Sequence, residues 1–225
     1  MVKTTLQREE VTVQAGENIL HADLVIPDRS AGIVVFAHGS GSSRFSPRNR
    51  AVARTLNDGG LATLLLDLLS LEEQRADEFT GHLRFDIGLL ADRVAGAIDW
   101  VGSEERTREL KIGLFGASTG AAAALAAAAT RPGSVAAVVS RGGRPDLAAE
   151  ALPEVKAPVL LIVGGYDGAV IEMNRDAARQ LRCENRLEIV PGAGHLFEEP
   201  GKLEKVAELA RDWFVRHMRR DEEQR

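Results

Sequence analysis

The sequence predicts an α/β fold, in which helices cover both faces of a doubly wound, mostly parallel sheet of about eight strands. Two observations support this prediction. Short apolar runs without polar alternation recur along the chain, and such runs are typical of strands that are buried on both faces. Segments with the apolar spacing of helices separate these runs, so strand and helix alternate almost to the end of the chain.

The first two predicted strands form an antiparallel hairpin. Residues 11–14 and 19–26 are rich in β-branched side chains, and the turn-like sequence Ala15-Gly16-Glu17-Asn18 separates them. Six later apolar runs predict the parallel part of the sheet. They cover residues 33–38, 61–67, 111–116, 135–140, 159–164 and 186–190.

Five helices are predicted from their end signals and apolar spacing. Ser46-Pro47 combines an N-cap residue with proline at the first helical position, and Gly59-Gly60 ends that helix. Asp86 caps a second helix that ends at Gly102. The remaining three cover residues 119–130, 171–182 and 202–218.

Two segments between these elements bear on ligand binding. Residues 70–85 are charged and lack clear periodicity, so we predict a loop at the carboxyl edge of the sheet, where ligands bind in such folds. Between Arg141 and Val159 the chain is too short to form a helical cap domain. A binding pocket at this edge is therefore expected to be shallow and open.

Composition argues against several classes of function. The net charge of −5 and the charged fraction of 27% lack the basic character that a nucleic-acid partner requires. Residues 1–10 contain no signal-like apolar stretch, and the longest apolar tract, 121–129, is too short to cross a membrane. The single cysteine, Cys183, cannot form an intramolecular disulfide. We expect one cytoplasmic domain over residues 1–225, as a monomer or homodimer, with no membrane partner.

The strongest motif is the G-x-S-x-G pentapeptide Gly116-Ala117-Ser118-Thr119-Gly120. It follows a predicted buried strand and precedes an alanine-rich helix, so Ser118 lies on a sharp strand-to-helix turn. Such a turn crowds the backbone, which favours glycine on either side, and directs the serine Oγ away from the sheet. The alternative is that Ser118 only caps the helix. We interpret Ser118 as a nucleophile.

A serine nucleophile needs a general base and a group that orients the base. Asp167 follows the predicted strand 159–164, and His195 follows the predicted strand 186–190. Both lie in glycine-containing loops, and the chain order Ser, Asp, His is the order expected for this architecture. We predict that His195 is the base and that Asp167 orients it.

Other residues of the same types are weaker candidates. Asp146 follows the preceding strand and stays open as an alternative acid, whereas Asp67 is interpreted as structural. His38 ends a strand but precedes the nucleophile, so it is better explained as support for the loop at Gly39. The remaining histidines are predicted to be surface or packing residues: His21, His82 and His217.

Acyl transfer also needs N–H donors for the oxyanion of the tetrahedral intermediate. One predicted donor is the amide of Thr119, directly after the nucleophile. The other is the amide of Ser40, in the glycine-rich loop His38-Gly39-Ser40-Gly41. A phosphate-binding loop is the alternative, but the sequence lacks the third glycine of a dinucleotide motif and the G-K-[ST] of a P-loop.

With these residues, the sequence resembles the α/β-hydrolase superfamily and, more closely, its dienelactone-hydrolase-like branch of small enzymes without a cap domain. The resemblance covers nearly the whole chain and rests on His38-Gly39, the pentapeptide 116–120, Asp167 and Gly194-His195. It implies a Ser118, Asp167 and His195 triad, a covalent acyl-enzyme, and no metal or organic cofactor.

Two further features qualify the resemblance. Dienelactone hydrolases proper have a cysteine nucleophile where this chain has Ser118, so the lactones of that pathway are not expected as substrates. Residues 40–49 and 141–146 are similar to a group of hydrolases that are sometimes fused to phosphoribosyltransferase domains.

The predicted activity is hydrolysis of carboxylic esters with short acyl chains, on a small-molecule ester substrate. Alternatives are an acyltransferase or peptidase with the same triad, and a non-catalytic binding domain on this scaffold. Four arginines lie in loops near the carboxyl edge, and they predict an anionic substrate unless they pair with local carboxylates. They are Arg44, Arg48, Arg141 and Arg144.

Overall fold

The computed structural model describes residues 7–219. Within this range the chain forms eight strands and six α-helices. The strands are β1 (Arg8–Ala15), β2 (Asn18–Val25), β3 (Gly32–Ala37), β4 (Ala62–Leu66), β5 (Lys111–Ala117), β6 (Val135–Arg141), β7 (Val159–Gly164) and β8 (Asn185–Val190). The helices are α1 (Pro47–Asp58), α2 (Leu71–Thr80), α3 (Ile87–Ser103), α4 (Thr119–Thr130), α5 (Gly168–Gln180) and α6 (Lys202–Met218). Residues 1–6, part of the segment inspected for a signal peptide, lie outside the described residues.

The strands form one sheet in the order β1-β2-β4-β3-β5-β6-β7-β8. β1 and β2 are antiparallel, β2 is antiparallel to β4, and the remaining neighbours are parallel. This confirms the predicted doubly wound sheet with an N-terminal hairpin. In the hairpin Ala15 pairs with Asn18, so the turn is Gly16-Glu17, and the φ of 62° at Gly16 is a conformation that favours glycine.

The core lies on both faces of the sheet, as the uninterrupted apolar strands predict. On one face, Leu64 and Leu114 pack with α3 and α4. On the other, Phe36 and Phe115 pack with α1 and α6, and their ring centroids lie 4.8 Å apart. Each such side chain contributes roughly 1.5–3 kcal/mol through burial. Because both faces are covered, the carboxyl edge of the sheet is left for ligands.

The segment 70–85 is not the loop that we predicted. It contains α2 and a 3₁₀ turn, Leu83–Phe85. Ser70 and Glu73 form a capping box, because the Ser70 hydroxyl accepts from the Glu73 amide and the Glu73 carboxylate accepts from the Ser70 amide. The S-x-x-E pattern that specifies this cap is present in the sequence. It outweighs the weak apolar periodicity on which the loop prediction depended.

The other differences between the predicted and the observed elements are small. α5 begins at Gly168, three residues before the predicted start at residue 171. The connection between β6 and β7 contains a 3₁₀ segment, Pro145–Glu154, and no inserted domain. Among residues 7–219, no helix combines the length and apolar character that crossing a lipid bilayer requires.

Two glycines of α3 provide a test of the packing between this helix and the hairpin. A Cβ added at Gly96 would lie 2.6 Å from the Cβ of Ala15, whereas one added at Gly102 would meet no atom within 4 Å. We expect Gly96→Ala to lower the free energy of unfolding by about 1–3 kcal/mol through overpacking. Gly102→Ala should raise it by roughly 0.4–1 kcal/mol, because alanine has less freedom in the unfolded chain. Urea denaturation measures both, and equal shifts would contradict this account of the contact.

Candidate active site

Ser118 occupies the turn between β5 and α4, and its backbone is strained. Its φ of 52° and ψ of −121° lie in a region that non-glycine residues rarely adopt. Such a conformation costs roughly 1–3 kcal/mol and persists only where surrounding contacts hold it. The side chain is half-buried at the carboxyl edge of the sheet.

Close packing on both sides holds this turn. A Cβ at Gly116 would lie 2.4 Å from the Cα of Ala121, and one at Gly120 would lie 2.3 Å from the carbonyl oxygen of Ala37. Neither position can accept a larger residue without a backbone shift. The two flanking glycines thus permit α4 to approach β5 and the end of β3, which positions Ser118.

His195 and Asp167 are in direct contact. Nδ1 of His195 and Oδ2 of Asp167 lie 2.6 Å apart, and the Asp167 side chain is 17% exposed against 38% for His195. Asp167 directly precedes α5, where the helix dipole favours a negative charge. With a carboxylate as partner, Nδ1 carries the proton, and Nε2 is the nitrogen that can accept one from a nucleophile.

The end of β6 joins the serine turn to the histidine loop. The amide of Ser118 donates to the carbonyl oxygen of Arg141 at 3.1 Å. A Cβ at the next residue, Gly142, would lie 3.5 Å from Nδ1 of His195 and 3.1 Å from its carbonyl oxygen. Ser118 and His195 therefore border consecutive residues at the end of β6, Arg141 and Gly142. Their proximity follows from the tertiary structure and from no local sequence signal.

The alternative acid, Asp146, has a different partner. Its carboxylate accepts from Nε of Arg144 at 2.9 Å and from Nη2 at 2.8 Å. Because this bidentate pair already engages the Asp146 carboxylate, the geometry favours Asp167 as the partner of His195.

The loop after β3 is tied to its surroundings through His38 and Ser40. Nδ1 of His38 lies 2.9 Å from the carbonyl oxygen of Gly39, and Nε2 accepts from the amide of Leu68 at 3.2 Å. Desolvation of the ring lowers the pKa of His38, which favours the neutral form that this acceptor role needs. A Cβ at Gly39 would lie 3.1 Å from the Cβ of Ser118, so the loop lies directly against the serine.

The two residues predicted as oxyanion donors touch each other. The amide of Ser40 donates to the hydroxyl oxygen Oγ1 of Thr119 at 2.8 Å. This bond links the loop after β3 to the first residue of α4. The sequence predicted both residues but not their contact, because the hydrogen bond depends on how closely α4 approaches β3.

The prediction that all four arginines lie in loops is wrong for two of them, because Arg48 lies in α1 and Arg141 ends β6. The four also differ in their partners. Arg44 is buried, and its guanidinium pairs with Asp67 and with Glu10, the latter at 2.8 Å. It therefore joins the loop to β1 and to the end of β4 and is not free to bind a substrate. Arg48 pairs with Glu198 at 2.9 Å, Arg144 pairs with Asp146, and Arg141 has no carboxylate within 4.0 Å among residues 7–219.

Sequence analysis missed a residue that supports the histidine loop. Oε1 of Glu199 accepts from the amide of Gly194 at 2.9 Å. This bond crosses the loop that carries His195. Nothing in the local pattern distinguishes Glu199 from the neighbouring Glu198.

A cavity of about 260 Å³ lies beside the loop after β3. The loop residues 38–42 form one wall, and Leu68, Leu69 and Leu90 contribute apolar surface. Polar side chains of α2 form another wall, so the helix that we had predicted as a loop shapes this space. Among residues 7–219, no three His, Cys, Asp or Glu side chains form a group that could hold a metal ion.

The Ser40–Thr119 bond can be tested through stability. Thr119→Val keeps the shape of the side chain but removes the hydroxyl, so the Ser40 amide loses its partner. We expect the free energy of unfolding to fall by about 0.5–1.5 kcal/mol, the usual net worth of such a bond. Thr119→Ser retains the hydroxyl and is the matched control. If chemical denaturation gives the same loss for both variants, the bond does not hold the loop.

Comparison with known proteins identifies the family. The profile of the dienelactone hydrolase family matches residues 20–219. A dienelactone hydrolase from Anabaena variabilis, known from its crystal structure, is 62% identical to this chain in sequence. The two structures agree with a TM-score of 0.94, and the match covers 95% of this chain and 99% of that chain. Est1E from Butyrivibrio proteoclasticus is 17% identical and shares the fold, with a TM-score of 0.78 over 93% of this chain and 98% of its own.

Two curated relatives from Mycobacterium tuberculosis carry the provisional name phosphoribosyl transferase. Each is 54% identical over 213 residues, which is 95% of this chain and 47% of the relative. The chain thus spans about half the length of these relatives. Together, the profile match and the similarity to the Anabaena structure confirm the resemblance predicted from the sequence, and the chain belongs to the dienelactone hydrolase family.

Proposed function

We propose that this chain is a serine hydrolase of carboxylic esters, with Ser118 as nucleophile, His195 as general base and Asp167 as the residue that orients the base. The observation that carries the proposal is the 2.6 Å contact between Nδ1 of His195 and Oδ2 of Asp167, at the same edge of the sheet as the strained turn at Ser118. Membership of a hydrolase family supports the same reaction class.

The proposed reaction has two halves. Oγ of Ser118 attacks the ester carbonyl carbon while Nε2 of His195 accepts the hydroxyl proton, and the tetrahedral intermediate forms. The intermediate then collapses to an acyl-enzyme, and the departing alkoxide takes the proton from His195. In the second half, water attacks the acyl carbonyl and gives a proton to His195. Release of the acid returns that proton to Ser118.

The amides of Thr119 and Ser40 are the proposed donors to the oxyanion. In the unliganded geometry the Ser40 amide donates to Oγ1 of Thr119 at 2.8 Å. An oxyanion that enters between these residues would share this N–H, and the amide of Thr119 is the second donor. We propose that the Thr119 hydroxyl acts as a positioning group, which holds the Ser40 amide near the site before substrate binds.

The expected substrates have short acyl chains. The support for this is the short connection between β6 and β7, which contains no inserted domain that would enclose a longer acyl chain. The transferase name of the mycobacterial relatives belongs to proteins about twice as long as this chain. We attribute the hydrolase activity to the half that this chain matches, and the transferase name to the remainder.

The nucleophile is tested by labelling with a fluorophosphonate and by hydrolysis of p-nitrophenyl acetate and butyrate. Wild-type protein should be modified at Ser118, as peptide mass spectrometry detects. Ser118→Ala should lose the label, and the rate should fall by at least roughly 10³-fold. Ser42→Ala removes a hydroxyl from the nearby loop and should keep the label. If folded wild-type protein is not labelled, a non-catalytic binding domain becomes the better explanation.

The role of Asp167 is tested by amide replacement. Asp167→Asn keeps the shape of the side chain but supports the wrong tautomer of His195, so kcat should fall by roughly 10³- to 10⁴-fold. Asp146→Asn is the matched control, because Asp146 is bonded to Arg144 rather than to His195. Steady-state kinetics on p-nitrophenyl acetate distinguishes the two. A larger loss in Asp146→Asn would transfer the orienting role to that residue.

A further inference from the structure

Arg141 is a buried cation that has no anionic partner among the residues that the structure describes. The residue is 7% exposed, and its Nε has no hydrogen-bond partner among residues 7–219. No carboxylate within this range lies close enough to form an ion pair with it, although Arg44, Arg48 and Arg144 each have one. Arginine is rarely buried in this way unless it is paired.

The surroundings of Arg141 make this charge unfavourable. Burial, together with the positive charge of Arg48, lowers the pKa of Arg141 to about 10. At neutral pH the guanidinium is therefore still protonated, and no carboxylate among the described residues compensates its charge. Nε of Arg48 is also buried without a hydrogen-bond partner, although its Nη1 contacts Glu198. Two guanidinium groups thus have unused donors in one region.

This region adjoins the proposed nucleophile. Arg141 is the last residue of β6, and its carbonyl oxygen accepts from the amide of Ser118. Side chains alternate along a strand, so Arg141 lies on the same sheet face as Val139, which packs in the core beneath α1 and α6. Arg48 lies in the first turn of α1, on that same face. The two arginines therefore lie on one face of the sheet, close enough for the charge of Arg48 to act on Arg141.

We propose that Arg141, together with Arg48, binds an anionic group of the substrate, a carboxylate or a phosphate carried by the ester that is cleaved at Ser118. This inference rests on the proposed hydrolase function and specifies its substrate class. A guanidinium has planar N–H donors that match the two oxygens of such a group. Binding would give the buried charge the counter-ion that residues 7–219 do not supply.

The test compares kcat/KM for one neutral and two anionic p-nitrophenyl esters. The neutral substrate is the acetate, and the anionic substrates are the hemisuccinate and the ester of phosphoglycolic acid. Wild-type protein should prefer one of the anionic esters, and the preferred one distinguishes carboxylate from phosphate. In Arg141→Met the ratio of anionic to neutral kcat/KM should fall by roughly 10- to 100-fold, the usual effect of losing a hydrogen bond to a charged group.

Three further variants control for folding and for net charge. Arg48→Met changes a more exposed side chain and should lower the same ratio by a smaller factor. Arg141→Lys should restore part of it, because lysine keeps the charge but not the planar donors. Arg131→Met removes an equal charge from a surface pair with Asp99, at the end of α4 remote from Ser118, and should leave the ratio unchanged.

A binding measurement separates this inference from the proposed function. Calorimetry of Ser118→Ala with succinate and with inorganic phosphate needs no catalysis, and one of them should bind with an affinity that Arg48→Met weakens. If neither binds and wild-type protein hydrolyses all three esters alike, the anion site is overturned while the hydrolase function stands. If one binds but no ester is cleaved and Ser118 is not labelled, the hydrolase function fails and the anion site stands.

Discussion

The backbone conformation at Ser118 is the constraint on which the rest of the site depends. A serine with positive φ is unfavourable by itself, and the contacts around it hold it there. Glycine at 116 and 120 lets α4 pack against the ends of β5 and β3. The same close approach brings Thr119 within hydrogen-bond distance of Ser40. A single steric requirement thus sets the direction of the serine side chain and the position of the neighbouring loop.

Parallel strands explain how residues far apart in the chain meet at this point. β3, β5, β6, β7 and β8 all end at one edge, so the loops that follow them converge. The end of β6 is central among them, because Arg141 accepts the amide of Ser118 and Gly142 borders the ring of His195. Small residues here let the histidine loop approach. The geometry that supports the proposed triad therefore depends on backbone packing as much as on the three side chains.

Buried charge has two different roles in this protein. Arg44 is paired with Asp67 and Glu10, so it contributes to the fold by joining a loop to β1 and to the end of β4. Arg141 has similar exposure but lacks a carboxylate partner among the described residues. A paired buried arginine is explained by the protein alone, whereas an unpaired one next to a candidate nucleophile is better explained by a ligand. This contrast is what supports an anionic substrate.

The sequence by itself determined the order of the eight strands and of five of the six helices within residues 7–219, together with the hairpin and the serine turn. Apolar spacing, caps and glycines carry this information because they act over a few residues. The helix α2 could also have been predicted from the sequence, since Ser70 and Glu73 form its cap. The weak apolar periodicity of this segment favoured a loop instead. Only the tertiary structure decided that Asp167 rather than Asp146 contacts His195, and that Arg44 has carboxylate partners while Arg141 has none within residues 7–219. Such partners are set by sheet register and helix packing, which bring together residues that no local pattern relates.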